Sequence, residues 1–246
     1  MYGPFPRRRA SVSKTLLILT AASCLAACAA NDAHSQRTAK TYSWVWIVTG
    51  PKDGSTTGEA RNDALRGHFT NMDRMATAGD LLIAGPFAEP KAARHHRGVF
   101  VLDTDDAERA SALANSDPAG RAGIFLFDIE AFASADDLRR VPERHERAVR
   151  ESGLETPGPG FHCRSYVLAM HEDVEAARRS LASDRVLFSG VLGQGSTSRY
   201  LVCLDATTKD EASAIVAASQ LDAWVLMPWF ASEEVARLRL ADATKS

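Results

Sequence analysis

The sequence predicts an α+β protein in which one strand-helix-strand-strand-helix-strand unit occurs twice. Strand-like and helix-like stretches follow one another in the same order in both halves of the 246-residue chain. Several stretches of the first half recur in the second half at a fixed offset, and a run rich in Pro and Gly separates the halves. A fixed order of whole supersecondary units indicates internal duplication.

The first unit, residues 41–135, begins with a strand and a long helix. Residues 42–48 alternate larger and smaller side chains, as a half-buried strand does. Residues 60–78 place apolar side chains at helical spacing, and Gly79 follows as a C′ residue that ends the helix. The later elements are strands at 81–84 and 99–102, a helix at 105–115 that Thr104 begins, and a strand at 124–129.

The second unit, residues 162–246, repeats this order. Residues 186–190 correspond to residues 81–85 at an offset of 105, and residues 202–205 correspond to residues 100–103 at an offset of 102. The difference falls in a loop, where changes of length are tolerated. A capped helix that starts at Ser232 follows the last strand.

Residues 136–161 connect the two units through a charged, helix-prone stretch and a Pro/Gly linker. Each unit alone would be a sheet with helices on one face and an uncovered apolar face on the other. We therefore expect the two units to bury these faces against each other as one pseudo-symmetric body. The tryptophans fall in the first and last strands of the units, which predicts core packing for Trp44, Trp46, Trp224 and Trp229.

Residues 1–27 have the pattern of a secretory signal peptide: basic residues first, then a short apolar run, then Leu-Ala-Ala before Cys28. This ending resembles the lipobox of bacterial lipoproteins. The resemblance implies that Cys28 is acylated and becomes the mature N-terminus. Ala29 in place of Asp implies the outer membrane, with the protein facing the periplasm. Residues 28–40 are small and polar, and we predict a flexible tether there.

Charge and cysteine content narrow the function classes. Loss of the four basic residues of the signal would change the formal net charge from −2 to −6, because that segment holds no acidic residue. An acidic chain without a long basic run argues against a nucleic-acid partner. In an oxidising compartment Cys163 and Cys203 are either a disulfide or two small buried apolar side chains, and the sequence leaves both interpretations open.

Several ordered features of the first unit point to one family. They are His68, the stretch AGDLLIAGP at 78–86, the step Asp117-Pro118, and the stretches at 122–125 and 129–132. Together they resemble the YCII-related domain family. The resemblance implies a ferredoxin-like fold that pairs into an α+β barrel, formed here within one chain as a pseudo-dimer. It also implies small-molecule chemistry at a catalytic pair, His68 and Asp117.

The second unit looks like a degenerate copy of the first. At the two offsets, the position of His68 corresponds to Asp173 and the position of Asp117 corresponds to Ser219. No acid precedes a proline there, although the preceding helix is retained. The second unit would then supply the structural partner that other family members obtain from a second subunit.

A histidine beside a carboxylate is a reasonable acid–base pair, because the carboxylate fixes the ring tautomer and raises the basicity of the other nitrogen. Each residue also has a structural alternative. His68 is otherwise a satisfied residue of an amphipathic helix. Asp117 is otherwise a helix stop, since a residue before proline leaves the helical region.

The basic segment Arg94, His95 and Arg97 lies between the two middle strands. It is predicted either as a clamp for an anionic ligand or as a solvated basic loop. The adjacent residues His95 and His96 would point to opposite sides of an extended segment, so no metal site is predicted there. No phosphate-binding loop, nucleotide fingerprint or zinc spacing is visible, and we expect no cofactor.

These observations predict an envelope lipoprotein with one small-molecule pocket, present as a monomer or a weak homo-oligomer. As an enzyme it would carry out proton transfer, elimination or isomerisation on a small organic compound. The alternative is a non-catalytic ligand-binding or structural lipoprotein of the envelope.

Overall fold

The computed structural model describes residues 38–88, 96–155 and 160–239, and it has eight strands and six α-helices there. Both halves run in the predicted order. The first half contains β1 (Lys40–Thr49), α1 (Gly58–Thr77), β2 (Leu81–Pro86), β3 (His96–Leu102), α2 (Ala107–Asn115), the short α3 (Pro118–Arg121) and β4 (Phe125–Ser134). The connector and the second half contain α4 (Arg140–Ser152), β5 (Cys163–His171), α5 (Val174–Ser180), β6 (Val186–Leu192), β7 (Arg199–Leu204), α6 (Lys209–Ala217) and β8 (Val225–Ser232).

The eight strands form one antiparallel, nearly closed sheet in the order β2-β3-β1-β4-β6-β7-β5-β8. The halves join between β4 and β6, where Phe132 pairs with Leu192. The two ends of the strand order meet where Phe87 forms an isolated bridge with Trp229. The indole Nε1 of Trp229 also donates to the Gly85 carbonyl at 3.1 Å. The nearly closed sheet is therefore barrel-like.

The two halves share local details of the sheet. In the first half a bulge lies between Leu81 and Ile83, and in the second half a bulge lies between Val186 and Phe188. These positions differ by the offset of 105. Gly85 and Gly190 share that offset, and each allows a strand of the other half to approach closely. A Cβ atom on Gly85 would lie 2.0 Å from the Phe230 carbonyl oxygen, and one on Gly190 would lie 2.5 Å from the Ala133 carbonyl oxygen.

Buried side chains form an inner layer and two outer layers. The inner layer takes residues from the strands of both halves, and its aromatic members are Tyr42, Trp44, Trp46, Phe87, Phe132, Tyr166, Phe188 and Trp229. One outer layer packs the helices of the first half against Phe100, and the other packs those of the second half against Val202. Successive strand residues point to opposite faces, so neighbours such as Trp44 and Val45 enter different layers.

Three predicted details are wrong in part. Trp224 lies just before β8 and is only partly buried in the second outer layer, so it is not a strand residue of the inner core. The first-half helix has Asp106 as its N-cap rather than Thr104, because the Asp106 carboxylate accepts from two backbone amides. Ser232 does act as a cap, but the helix after it is a short 3-10 helix, Glu233–Arg237.

Cys163 and Cys203 are both free thiols. Cys203 pairs with Leu168 across the β5–β7 ladder, and Cys163 lies five residues before Leu168 on β5. At about 3.3 Å per residue this separates the two Cα atoms by about 16 Å. A disulfide requires less than about 7 Å, so of the two open interpretations the structure supports two apolar side chains.

No helix within the described ranges has the length and apolar character needed to cross a membrane. The signal segment, Cys28 and nearly all of the predicted tether lie outside the described residues.

Candidate functional site

Helix α1 places His68 at the centre of its buried face. The residues of that face recur at helical spacing and are Ala64, His68, Asn71 and Met75. His68 is 7% exposed. Its ring stacks on Phe100 of β3, with centroids 5.7 Å apart, and meets Phe125 of β4 edge-on at 5.2 Å. The imidazole is therefore held between the helix and the sheet by aromatic contacts, which limit its rotation.

Asp117 is fixed by the backbone of the next helix. It is the N-cap of α3, and its Oδ1 accepts hydrogen bonds from Ala119 N at 2.8 Å and Gly120 N at 3.3 Å. Pro118 occupies the first helical position, where no amide hydrogen is needed. Asp117 is fully buried. Asp117 therefore begins α3 as its N-cap, and this structural role uses only one of the two carboxylate oxygens.

The other oxygen of Asp117 binds His68. Asp117 Oδ2 lies 2.6 Å from His68 Nδ1. An ionised carboxylate can only accept, so opposite an ionised Asp117 the Nδ1 atom is the donor, and in the neutral form of the ring Nε2 then keeps its lone pair. Nε2 has no hydrogen-bond partner among the described residues. The side chain of His68 is 10% exposed. The arrangement provides an oriented imidazole with one unoccupied basic nitrogen.

A groove of about 870 Å³ runs along α1 beside this pair. It is lined by one stripe of α1 and by the ends of α2 and α3, and the lining residues are Asp63, Arg66, Gly67, Thr70, Asn71, Arg74, Ser116, Pro118 and Arg121. The helices approach closely here, because a Cβ atom on Gly67 would lie 2.8 Å from the Pro118 ring. Neither His68 nor Asp117 lines the groove, although its walls include both sequence neighbours of Asp117.

A second cavity, of about 1140 Å³, lies between the two halves. His96 and Trp46 stack there with ring centroids 4.6 Å apart. Trp46 Nε1 donates to Glu130 Oε1 at 2.8 Å, and Arg199 of β7 pairs with the other oxygen of the same carboxylate. Sequence reasoning gave no role to Glu130 or Arg199, because their contact depends on the pairing of the two halves.

Of the predicted basic clamp, only Arg97 is among the described residues. Arg94 and His95 lie outside the described residues. Arg97 lies on β3, where its guanidinium contacts the Asp53 carboxylate at 3.4 Å, and Arg61 of α1 holds the same carboxylate at 2.8 Å. Its role as a ligand-binding residue stays a prediction.

At the two positions that correspond to His68 and Asp117, the second unit holds no histidine–carboxylate pair. Asp173 is the N-cap of α5 and accepts from Ala176 N at 2.9 Å, so this helix begins where the first unit has His68. Ser219 follows α6; its hydroxyl donates to Val216 O at 2.6 Å and accepts from Trp224 Nε1 at 3.2 Å.

Sequence reasoning missed the polar residues beside the pair. Asn71 lies three positions after His68 and Arg74 three positions after Asn71, while Ser116 directly precedes Asp117. Arg74 Nη2 donates to both Asn71 Oδ1 and Ser116 Oγ, at 3.0 and 3.1 Å. The helical spacing from His68 was the signal that could have found Asn71 and Arg74, and the adjacency to Asp117 was the signal for Ser116.

The described residues show no group of three or more His, Cys, Asp or Glu side chains placed to hold a metal ion.

A family model described as the YCII-related domain matches residues 43–132. No curated protein and no solved structure matches the chain. The matched range contains both His68 and Asp117 and ends before the connector helix, so it covers the first half of the sheet. Residues 43–132 are therefore a YCII-related domain.

Proposed function

We propose that the YCII-related domain is a small-molecule enzyme in which His68 acts as general base or acid and Asp117 as its positioning residue. The observation that carries the proposal is the 2.6 Å contact between His68 Nδ1 and the fully buried Asp117 carboxylate. This contact fixes the tautomer and leaves Nε2 to exchange a proton with a substrate. The reaction class is proton transfer, elimination or isomerisation on a small organic compound.

The mechanism follows from the two partners of Asp117. When Nε2 takes a proton, the imidazolium is stabilised by the adjacent carboxylate, whose charge is held by two backbone amides. The proton then returns from Nε2 to another atom of the substrate, so the ring finishes neutral. A positioned acid–base group of this kind contributes about a hundredfold or more to rate.

We also propose that the chain is a duplication in which the second unit replaces a second subunit. The shared strand order, the equivalent bulges and the equivalent glycines Gly85 and Gly190 support this proposal. The acylation of Cys28, with attachment to the outer membrane, is proposed from the sequence pattern of residues 1–28. Replacement of Cys28 by alanine in the full chain should release the protein from membranes.

One observation favours a second candidate function, a non-catalytic binding protein of the envelope. His68 is only 7% exposed, and neither member of the pair lines the groove or the cavity between the halves. In that case the pair only joins α1 to α3, and any ligand binds elsewhere on the domain.

The test compares His68→Gln and Asp117→Asn in the full chain, with Cys28→Ala in every variant to keep it in solution. A panel of small organic acids is screened for turnover, and kcat/KM of any substrate found is followed against pH. The enzyme proposal predicts a loss of about a hundredfold in both variants and removal of the imidazole-dependent limb of the pH profile. Full activity in His68→Gln would overturn the catalytic role of the pair. A parent protein that binds a compound of the panel but turns none of them over would favour the binding protein.

A further inference from the structure

The groove beside the His68–Asp117 pair is basic. Its lining contains Arg66, Arg74 and Arg121, but only one acidic residue, Asp63. Arg66 pairs with Asp63 at 2.9 Å on the exposed rim, so these two charges offset each other. Two arginines therefore remain, and the groove carries net positive charge.

Arg74 is oriented by the protein. Its Nε and Nη2 donate to Asn71 Oδ1 at 3.2 and 3.0 Å, and Nη2 also donates to Ser116 Oγ at 3.1 Å. Asn71 is only 7% exposed, and the Ser116 hydroxyl donates to Leu113 O at 2.7 Å, so both acceptors are themselves fixed. Arg74 Nη1 has no hydrogen bond to any described residue. One side of a pre-positioned guanidinium is thus available to a ligand.

Arg121 supplies a second cation at the other wall. It lies at the end of α3, lines the groove, and makes no ion pair or hydrogen bond through its side chain with the described part of the chain. A planar guanidinium presents donors that match the two oxygens of a carboxylate.

We propose that this groove binds the carboxylate of a small organic anion, with Arg74 and Arg121 as its ligands and Asn71 and Ser116 as the residues that position Arg74. The proposal deepens the proposed function, on which it rests, by naming the substrate class of the same site. Ser116 directly precedes Asp117, so Arg74 is held by a residue next to the acid–base pair.

The second unit lacks the arrangement and offers a matched control. At the offset of 105, Arg74 corresponds to Arg179 and Asn71 to Ala176. At the offset of 102, Ser116 corresponds to Ala218 and Arg121 to Ala223. Arg179 is 72% exposed and lies 3.6 Å from the Glu175 carboxylate one helical turn away. Arg179→Gln removes the same charge from a helix surface without the supporting residues.

The test is a calorimetric titration of the full chain, carrying Cys28→Ala, with benzoate, with its neutral isostere benzamide and with inorganic phosphate. We expect benzoate to bind more tightly than benzamide. Arg74→Gln should weaken benzoate binding by about tenfold or more, and Arg121→Gln by a smaller factor, because each removes a charge-assisted contact. Arg179→Gln should leave it unchanged. Phosphate binding tighter than benzoate, lost in Arg74→Gln, would overturn the carboxylate assignment in favour of a phosphate ester.

Equal binding of benzoate and benzamide, no binding of benzoate, or equal effects of Arg74→Gln and Arg179→Gln would overturn the proposal. The His68→Gln variant separates it from the proposed function. If benzoate binds this variant normally and turnover is also normal, the catalytic role fails while the anion site stands. If turnover is lost but Arg74→Gln binds benzoate like the parent, the anion site fails while the catalytic role stands.

Discussion

A polar residue follows α2 in the first half and α6 in the second half, and the two residues make similar backbone contacts. Only the residue of the first half also contacts a histidine. Asp117 Oδ1 accepts from the amide two residues ahead, and Ser219 Oγ accepts from Leu221 N, also two residues ahead. The difference is the second carboxylate oxygen, which binds His68. Since the second unit ends the helix without such a contact, the pair is additional to what the fold requires.

The second half contains a His–carboxylate contact in which both ring nitrogens have partners. His162 Nε2 lies 2.6 Å from the Glu234 carboxylate, which is 2% exposed, and the other ring nitrogen lies 3.3 Å from the Glu233 carboxylate. Both nitrogens of His162 are therefore occupied, and the contact ties the start of β5 to the last 3-10 helix. His68 has the same kind of partner on one nitrogen only. The unoccupied Nε2 distinguishes this candidate site from a contact that only joins two elements of the fold.

The largest expected effect on stability concerns Gly85 and Gly190, the two glycines at which a strand of the other half approaches closely. A Cβ atom on Gly85 or Gly190 would meet backbone oxygens at 2.0 and 2.5 Å. We expect Gly85→Ala and Gly190→Ala each to lower the free energy of unfolding by about 3 kcal/mol, because the backbone must shift. Gly54→Ala is the control, since nothing lies within 4 Å of its Cβ position. Urea denaturation measures the free energy of unfolding of all three variants. A mild effect at only one of Gly85 and Gly190 would show that the two contacts between the halves are not equivalent.

The next effect compares the two helix ends directly. Asp117→Ala removes the acceptor of two backbone amides and of His68 Nδ1, so we expect a loss of about 2 to 3 kcal/mol. Ser219→Ala removes one hydroxyl with weaker contacts, and about 1 kcal/mol is expected. Equal losses in chemical denaturation would mean that the His68 contact adds nothing to stability.

A smaller effect concerns pH and the connector helix. Burial, and then the charge of His162, lowers the pKa of His145 from its ordinary value of 6.5. The unfolded chain then binds a proton that the folded chain releases, so the free energy of unfolding should fall as the pH drops below 6.5. The decline between pH 7.5 and 5.5, about the range over which histidine titrates, should be shallower in His145→Gln. An unchanged slope would contradict this account.

The smallest effect concerns the thiols. Burial raises the pKa of the Cys163 thiol and raises that of Cys203 well above its usual range. Both are therefore poor nucleophiles. In the Cys28→Ala chain without its first 27 residues, we expect slow labelling of Cys163 and labelling of Cys203 only in denaturant. A disulfide-linked peptide in a non-reducing digest would refute the free-thiol structure.

The sequence predicted much of the architecture, because strand alternation, helical spacing and repeat offsets are local patterns. The offset of 105 that relates Leu81 to Val186 reappears in the structure as equivalent bulges. The contact between His68 and Asp117 could be expected only through the family resemblance, since 49 residues separate them. Arg74 was missed although its helical spacing from His68 was visible. The Glu130–Arg199 pair was not predicted, because a charged residue on a strand has no distinctive spacing until its neighbours in space are known.

The central claim is that Asp117 holds His68 with its Nδ1 protonated and its Nε2 free to accept a proton. Nitrogen-15 chemical shifts of His68, in the full chain with Cys28→Ala and labelled histidine at mildly alkaline pH, measure this directly. The account predicts a protonated Nδ1 and an unprotonated Nε2, and a change of that pattern in Asp117→Asn. A protonated Nε2 in the parent protein, or a pattern unaffected by Asp117→Asn, would contradict it.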